Sequence, residues 1–591
     1  MWYEKGVCLG QALATSTTES QFECNPCIDK NTGIAFSVAG RVDNRIDLAS
    51  ELEISPVDMQ SLADGELIQR AYYRWGEQAC SRIYGDWSFA AWHSLENRLF
   101  IARDHFGSTA LYYHVDQRVF AFSSSRQALL DLNLAPVKMD ELYLAQVLIS
   151  WPSYQGARTI HSSICRLPPA HLIAIDANKC VTRQYWHLEE TPLLTYSNRA
   201  DYISAFNEVF NEAVCARLRT PNSTFKIGVA LSGGLDSSSV AVTAAKFLYG
   251  SGGRLNAYTS APISTNNKAD CVCMVDEFPY AEATSRFAGN IDLYPITASD
   301  ISPIQAIKII LKISQEPNHA AGNFFWILKL YQCAAEHGCK VLLTGKSGNA
   351  SISWAGDIFS QPLAYQIHRL GWYKWLKTRI KYSAPPSLMN AYRKLVQRPD
   401  WNRFSAIHPD FASRLRLNEL RLNDPEENYK RYPQEQRLNI LKPGRQIGGA
   451  FQAGLGAAYG LEVRDPTADA RVLAFTFSVP DYIFMDPKTG QNRWLIREAM
   501  KGRLPEEVRL NRKHGRQAAD LVHRLRATAM EVESTLNELD RGPAAAYVDV
   551  ACMRQVWRRI QAENSHETYV KSITILTRGI MAGLFVNQFY E

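Results

Sequence analysis

The stretch GVALSGGLDSSSVA, Gly228 to Ala241, constrains this chain more than any other. An apolar run of strand length meets a glycine pair flanked by serines, and apolar residues at helical spacing follow at once. A buried strand that turns through glycines straight into a helix is the repeating unit of parallel α/β sheets. The neighbouring sequence keeps that alternation. Tyr202, Phe206, Val209, Phe210 and Ala213 recur at three- and four-residue steps, which predicts an amphipathic helix over 200–218. Strands are expected at 225–231, 255–261, 292–298 and 340–345, with helices at 237–248 and 277–289 between them. The expectation is an α/β parallel-sheet domain with helices on both faces.

Residues 1–190 read differently. Short alternating or apolar runs at 33–44, 87–94, 98–107, 110–124 and 171–186 are punctuated by turn residues, and one helix is expected at 64–76. This is the pattern of an α+β layered domain. The 591 residues exceed the roughly 250–300 at which single cores stop growing, so two domains are expected, 1–190 and 200–591. From about 355 the chain reads as mostly helical. It carries an insertion near 360–440 rich in aromatic and basic residues, including GWYKWLKTRIKY. Trp372, Trp375, Leu376 and Arg379 there fit an ordinary amphipathic helix, and a peptide-docking lip is the functional alternative.

Hydrophobic content of 46% and charged content of 21% describe a soluble globular protein. A net charge of +6 is small for this length and does not argue for nucleic acid. No basic leader and no run of about 18 apolar residues is visible, so neither secretion nor a membrane span is expected and the cytoplasm is the default. The twelve cysteines are scattered. Cys24-Asn-Pro-Cys27 and Cys271-Val-Cys273 lack the second pair that a zinc site needs and read as incidental thiols.

In an open parallel sheet the ligand sits at the carboxyl ends of the strands, where Ser232-Gly233-Gly234 is placed. Glycines let backbone N–H groups approach an anion, and the following helix aims its positive end at the same point. Ser237 and Ser238 add hydroxyl donors. Asp236 is out of place in an anion cradle unless a cation intervenes, which points to Mg²⁺. The spacing is neither GxxxxGK[ST] nor GxGxxG.

LSGGLDSS resembles the SGGxDS pyrophosphate loop of the PP-loop ATP pyrophosphatases, and is most similar to the asparagine synthetase branch. The resemblance extends through VAGRVDNRIDL (38–48), GDWSFAAW (85–92), ARDHFGSTALYY (102–113), DEFPYAEA (276–283), LLTG (342–345), GLEVRDPTAD (460–469) and RKHGRQ (512–517) in the family's order. It implies a glutaminase-like domain of Ntn-hydrolase type followed by an ATP pyrophosphatase domain. It also implies ATP as substrate with Mg²⁺. Leu231, Thr259 and Ser260 would contact adenosine, and Thr344 and Gly345 would join the ATP site. Lys513 matches the family lysine that stabilises charge at adenylation; its plainer reading is a solvated surface lysine.

The sequence departs from that family at both sites. Trp2 stands where the glutaminase nucleophile, a cysteine, would follow the initiator, and the Asn-Gly oxyanion pair reads Ala39-Gly40. Removing one such donor typically costs on the order of 10²-fold in rate. Asp64, which matches the glutamine-amine contact, is then a relic, and nitrogen comes from elsewhere. After the LTG strand, Lys346 replaces a glutamate and Asn349 replaces an aspartate that helps hold Mg²⁺. LLTGKSGNASISWAG is most similar to the lasso-peptide macrolactam synthetases, which adenylate an Asp or Glu side chain and close it on the peptide's own amine. Lys346 and Trp354 would then face the peptide. Glu462 is either an acceptor-side base or a structural partner of Arg464. The expected partners are a precursor peptide, a leader-binding protein and a protease. The rival expectations are an asparagine synthetase using ammonia, a β-lactam synthetase and an inactive scaffold.

Overall fold

The computed structural model describes the chain except residues 5, 152–155, 265–272, 397–400, 443–444, 446–447 and 487. Cys271 therefore lies outside the described residues.

The N-terminal domain is built on a six-stranded sheet in the order Cys180–Gln184, His171–Ile175, Arg98–Arg103, Gly85–His93, Ile34–Val42, Cys27–Asp29, with every pair antiparallel. Alternation along Ile34–Val42 and Gly85–His93 sends Phe36, Val38, Trp87 and Phe89 to one face. There they pack on Leu67, Ile68, Ala71 and Tyr72 of the helix Asp64–Trp75. Ala90, Ile101 and Ile173 go to the other face and meet Tyr113 from a three-stranded sheet. The result is helix, sheet and sheet, as the alternation predicts.

The second domain holds five parallel strands in the order Ile291–Ile296, Leu255–Ser260, Lys226–Ala230, Cys339–Leu343, Glu462–Arg464. Strand order reverses at Lys226–Ala230, so a ligand crevice is expected at its carboxyl end. Two cores flank the sheet. One contains Phe206, Phe210, Val240 and Val472, and the other Ile307, Phe324, Leu576 and Ile580.

Two boundaries differ from the sequence reading. The helix expected at 237–248 runs Leu235–Gly250, which places Asp236 in its first turn. The helix Glu141–Leu148, assigned by sequence to the first domain, buries Tyr143, Leu144, Val147 and Leu148 in the core of the second. It is apolar on nearly every side, so no solvated face directs it back to its own domain. Beyond 355 the chain is helical apart from short strands such as Glu462–Arg464 and His514–Gly515. The run His566–Tyr590 is long and apolar enough to cross a membrane, but 72% of its apolar window is buried within the protein.

Arginines join the two domains. Arg41 donates to Asp43, Asp86 and, across the interface, Glu462. Arg217 pairs with Asp43 at 3.1 Å, and Arg219 with Glu19 at 3.0 Å and Asp64 at 3.2 Å.

Candidate active site

A cavity of about 1050 Å³ opens at the carboxyl end of Lys226–Ala230. One end is the glycine loop. Gly234 is extended, with φ −84° and ψ 154°, and the helix begins at the next residue, so its unpaired N–H groups point into the cavity mouth. Ser232 and Ser237 share a hydroxyl contact of 2.8 Å, and the Ser232 hydroxyl accepts the Gly234 N–H at 3.1 Å. The loop is pre-shaped by its own serines. Leu231, Ser232, Gly233, Gly234, Asp236, Ser237, Thr259, Ser260, Thr344 and Gly345 all line this space.

Among the described residues, three buried polar atoms around it have no hydrogen-bond partner: Asp236 Oδ1, Thr259 Oγ1 and Thr344 Oγ1. Buried polar atoms are normally paired, so this cluster fits a polar ligand. Burial pushes the Asp236 carboxyl up to about 6, against the pull of the Ser353 hydroxyl and Arg493. The close approach of 345–348 to this carboxylate requires glycine. A Cβ at Gly348 would lie 2.3 Å from Asp236 Cγ, and one at Gly345 2.9 Å from the Asp236 backbone.

Cations gather beyond Asp236. Arg493, Lys513 and His514 line both the main cavity and a smaller adjoining one of about 130 Å³, which also takes in Arg369, Arg497 and Arg512. Arg497 falls to about 10, by burial first and then by repulsion from Arg493, Arg512 and Arg509. Its guanidinium donates to the carbonyls of Asn492 at 3.1 Å and Asn511 at 2.8 Å, which fixes the loop carrying Lys513. Arg493 holds a left-handed φ of 58° and donates to Asn349 Oδ1 at 2.9 Å. Sequence reasoning missed Arg493. It lies in a polar turn with no motif around it, and only the fold brings it to the cavity.

The cavity is also lined by the apolar Tyr143, Val147, Phe324, Leu330, Phe451 and Leu455, with the polar Glu316, His319 and Asn323 among them. His319 in this lining is pushed down to about 4 by burial, then by Arg578 and Lys346, so it is neutral at physiological pH. For Glu316, burial raises the carboxyl, but Arg126 and Arg166 more than offset it and hold the group below the usual carboxylate range. Lys346 lines the same cavity. Its ammonium is open to the cavity yet surrounded by protein, which lowers it from its ordinary value; Asp465 partly offsets this.

Four expectations need correction. Glu462 does not line the cavity. Arg464 grips both its oxygens, at 2.8 and 2.9 Å, and Arg41 adds a third contact, so it stands as the structural partner of these arginines. Trp354 also lies off the cavity lining, where it donates to Asp481 at 3.0 Å under the Arg437 guanidinium. Ser238 is fully buried and its hydroxyl turns back to the Ser232 carbonyl at 3.4 Å. Asn349 lines the cavity near Asp236, but its amide oxygen is engaged by Arg493 rather than free for a metal.

In the glutaminase-like domain the polar groups around Asp64 and Val38 pair with one another. Glu23 accepts the Gly65 N–H at 2.7 Å and an Asn25 amide proton at 2.6 Å. Gln11 accepts from Ser37 at 2.9 Å and donates to the Val38 carbonyl. Asp64 is bound by Arg45 and by Arg219 from the second domain. Ala39 sits mid-strand opposite Ser88 and offers no side-chain donor.

Comparison with known families bears on both halves. Residues 1–186 match the glutamine amidotransferase domain, and residues 205–582, well over half of the chain, match asparagine synthase. The chain belongs to the asparagine synthase family. It is 23% identical over 535 residues to asparagine synthetase [glutamine-hydrolyzing] 3 of Bacillus subtilis, covering 87% of this chain and 80% of that one. It is 25% identical over 353 residues to amidase chyE of Penicillium rubens, covering 57% of this chain and 50% of the other. Among solved structures, the B. subtilis glutamine PRPP amidotransferase aligns with 39% of this chain and 47% of its own, at 13% identity and a TM-score of 0.19. Membership in the asparagine synthase family makes this protein an ATP-dependent ligase that forms a carbon–nitrogen bond.

Proposed function

We propose that this enzyme adenylates a side-chain carboxylate of a peptide and joins it to that peptide's own amine, closing a macrolactam. The observation that carries this reading is the breadth of the cavity lining. Aromatic and aliphatic side chains such as Tyr143, Phe324, Phe451 and Leu455 share one cavity with the glycine loop, which suits a peptide better than a free amino acid. Lys346 replaces an acid in that lining. In the glutaminase-like domain, the Gly65 N–H taken up by Glu23 and the lack of a side-chain donor at Ala39 support nitrogen arriving with the substrate.

The chemistry follows from the residues. The substrate carboxylate oxygen attacks the α-phosphorus of ATP, and pyrophosphate leaves. The amine then attacks the acyl carbon, AMP leaves and the amine gives up a proton. Ser232, Ser237 and the free N–H groups of the helix turn that begins at Leu235 hold pyrophosphate, with Lys513 and Arg493 also in the lining. Mg²⁺ fits the donor set: Asp236 Oδ1 is orphaned, and this ion is ordinarily held by one or two carboxylates plus substrate phosphates. Bound there, it would neutralise phosphate charge. Lys346 orients the incoming carboxylate. A leader-binding protein and a protease are the expected partners, delivering the peptide and exposing its amine.

The test is incubation with ATP, Mg²⁺ and core peptides carrying a free N-terminal amine and an internal Asp or Glu. Pyrophosphate release with a product lighter by one water is the expected result. Pyrophosphate released only with aspartate and ammonia would instead return asparagine synthesis. Lys346→Met should lower kcat/KM for the peptide by roughly 10²-fold while ATP affinity is retained, because the lost contact acts on the acceptor and not on the nucleotide. Isothermal titration with ATP beside steady-state kinetics separates the two.

A further inference from the structure

The insertion carries a surface that the site does not use. The helix Trp372–Ser383 divides into three sectors at about 100° per residue. The inner sector holds it to the protein: Trp375 donates to Gln366 at 3.0 Å, and Tyr382 meets Phe359 edge-on at 4.8 Å. A second sector presents Trp372, Tyr373, Leu376 and Ile380 to solvent, with Trp372 70% and Ile380 62% exposed. The third carries Lys374, Lys377 and Lys381 beside that stripe. The next helix, Pro386–Val396, repeats the arrangement. Leu388, Tyr392, Leu395 and Val396 form an exposed stripe, Leu395 at 81%, while Arg393 anchors the helix by donating to the carbonyls of Arg421 and Leu422.

Charge says what such a surface meets. Residues 358–399 contain eight Lys or Arg and no Asp or Glu, more positive charge than the +6 of the whole chain, so the remainder is net acidic. A basic sector alongside an apolar one with Trp and Tyr at its edge is the composition of a helix lying in a lipid–water interface. At about 1.5 Å per residue, twelve residues reach only about 18 Å, too short to span about 30 Å of hydrocarbon.

We propose that 372–396 docks this enzyme on the surface of an anionic phospholipid bilayer, its apolar stripes at the acyl boundary and its lysines among the headgroups. The inference is independent of the peptide reading. The test is co-flotation of the full-length protein with phosphatidylcholine vesicles with and without about one third phosphatidylglycerol. Binding to the anionic vesicles is expected, at least about tenfold weaker to neutral vesicles and falling with salt. Trp372→Ser/Ile380→Ser/Leu395→Ser should lower it at least about tenfold, and so should Lys374→Glu/Lys377→Glu. ATP affinity, by calorimetry, should be unchanged in both variants, which shows that they fold. No vesicle binding, equal binding to neutral vesicles, or full binding by either variant would overturn the proposal. Capture of an acidic peptide without vesicle binding would do the same and assign the surface to a protein partner.

Discussion

Asp236→Asn should abolish pyrophosphate release, by about 10³-fold or more, and at the same time raise the thermal stability of the ligand-free protein. Both effects come from one carboxylate. Its Oδ1 is buried without a partner, and burial raises its pKa from 3.8 to about 6. At about 1.4 kcal/mol per unit, ionising it inside the fold costs roughly 2–3 kcal/mol at neutral pH. The sign follows from proton counts. Between pH 3.8 and about 6 the folded state holds a proton that the unfolded chain has lost, so stability falls as pH rises through that window and is level above it. An amide keeps the shape and carries no charge, so the apo protein gains while the site loses the negative oxygen beside the glycine loop. Scanning calorimetry of both proteins at pH 5 and pH 8 checks the first effect; the variant's advantage should be larger at pH 8. Pyrophosphate release checks the second. Tight ATP·Mg²⁺ binding by Asp236→Asn with unchanged turnover would remove this residue from the site. Functional carboxylates held against their own preference are a recognised source of a stability–activity conflict.

That carboxylate was legible in the sequence because its surroundings are local. Strand, glycine turn and helix occupy Lys226–Gly250 without interruption, and apolar spacing with the glycine pair defines all three. The same holds for Asp64–Trp75, where one amphipathic period suffices. What escaped the sequence is what distant segments assemble. Arg493 and Asp236 are over 250 residues apart, yet both line one cavity. Glu141–Leu148 lies within the first domain's stretch of chain but is buried in the core of the second, because its apolar circumference needs cover on every side. By resemblance Trp354 reads as facing the peptide, but Asp481, over a hundred positions on, takes its N–H. Periodicity reports which face is buried and says nothing of the element that buries it.

Glu462 decides between chemistry and architecture, and the expected result is architectural. Glu462→Gln should melt earlier by roughly 5–10 °C and keep nearly full turnover when assayed well below that transition. The carboxylate is gripped by Arg464 from its own strand and by Arg41 from the other domain. Burial alone would raise it, but Arg464 and Arg41 hold it far below the usual carboxylate range. A depressed carboxyl contributes stability that is present above the unfolded pKa, near 4.5, and is lost as pH falls toward the folded one. Acid should therefore weaken the wild-type protein below pH 4.5, and the variant less steeply. Removing one partner of a fully buried pair costs about 3–5 kcal/mol. Here 27% of the Glu462 side chain stays accessible, Arg41 keeps Asp43 and Asp86, and Arg464 keeps the carbonyls of Arg217 and Arg219. Those alternatives place the loss nearer 2–3 kcal/mol, and at about 2–4 °C per kcal/mol for a domain of this size the melting shift follows. A general base would give the opposite pattern, a fall of 10²–10⁴ in turnover with little change in melting. Calorimetry and single-turnover kinetics on the same preparation distinguish the two, and retained turnover would leave proton removal from the amine to groups inside the cavity, where neutral His319 and depressed Lys346 already stand.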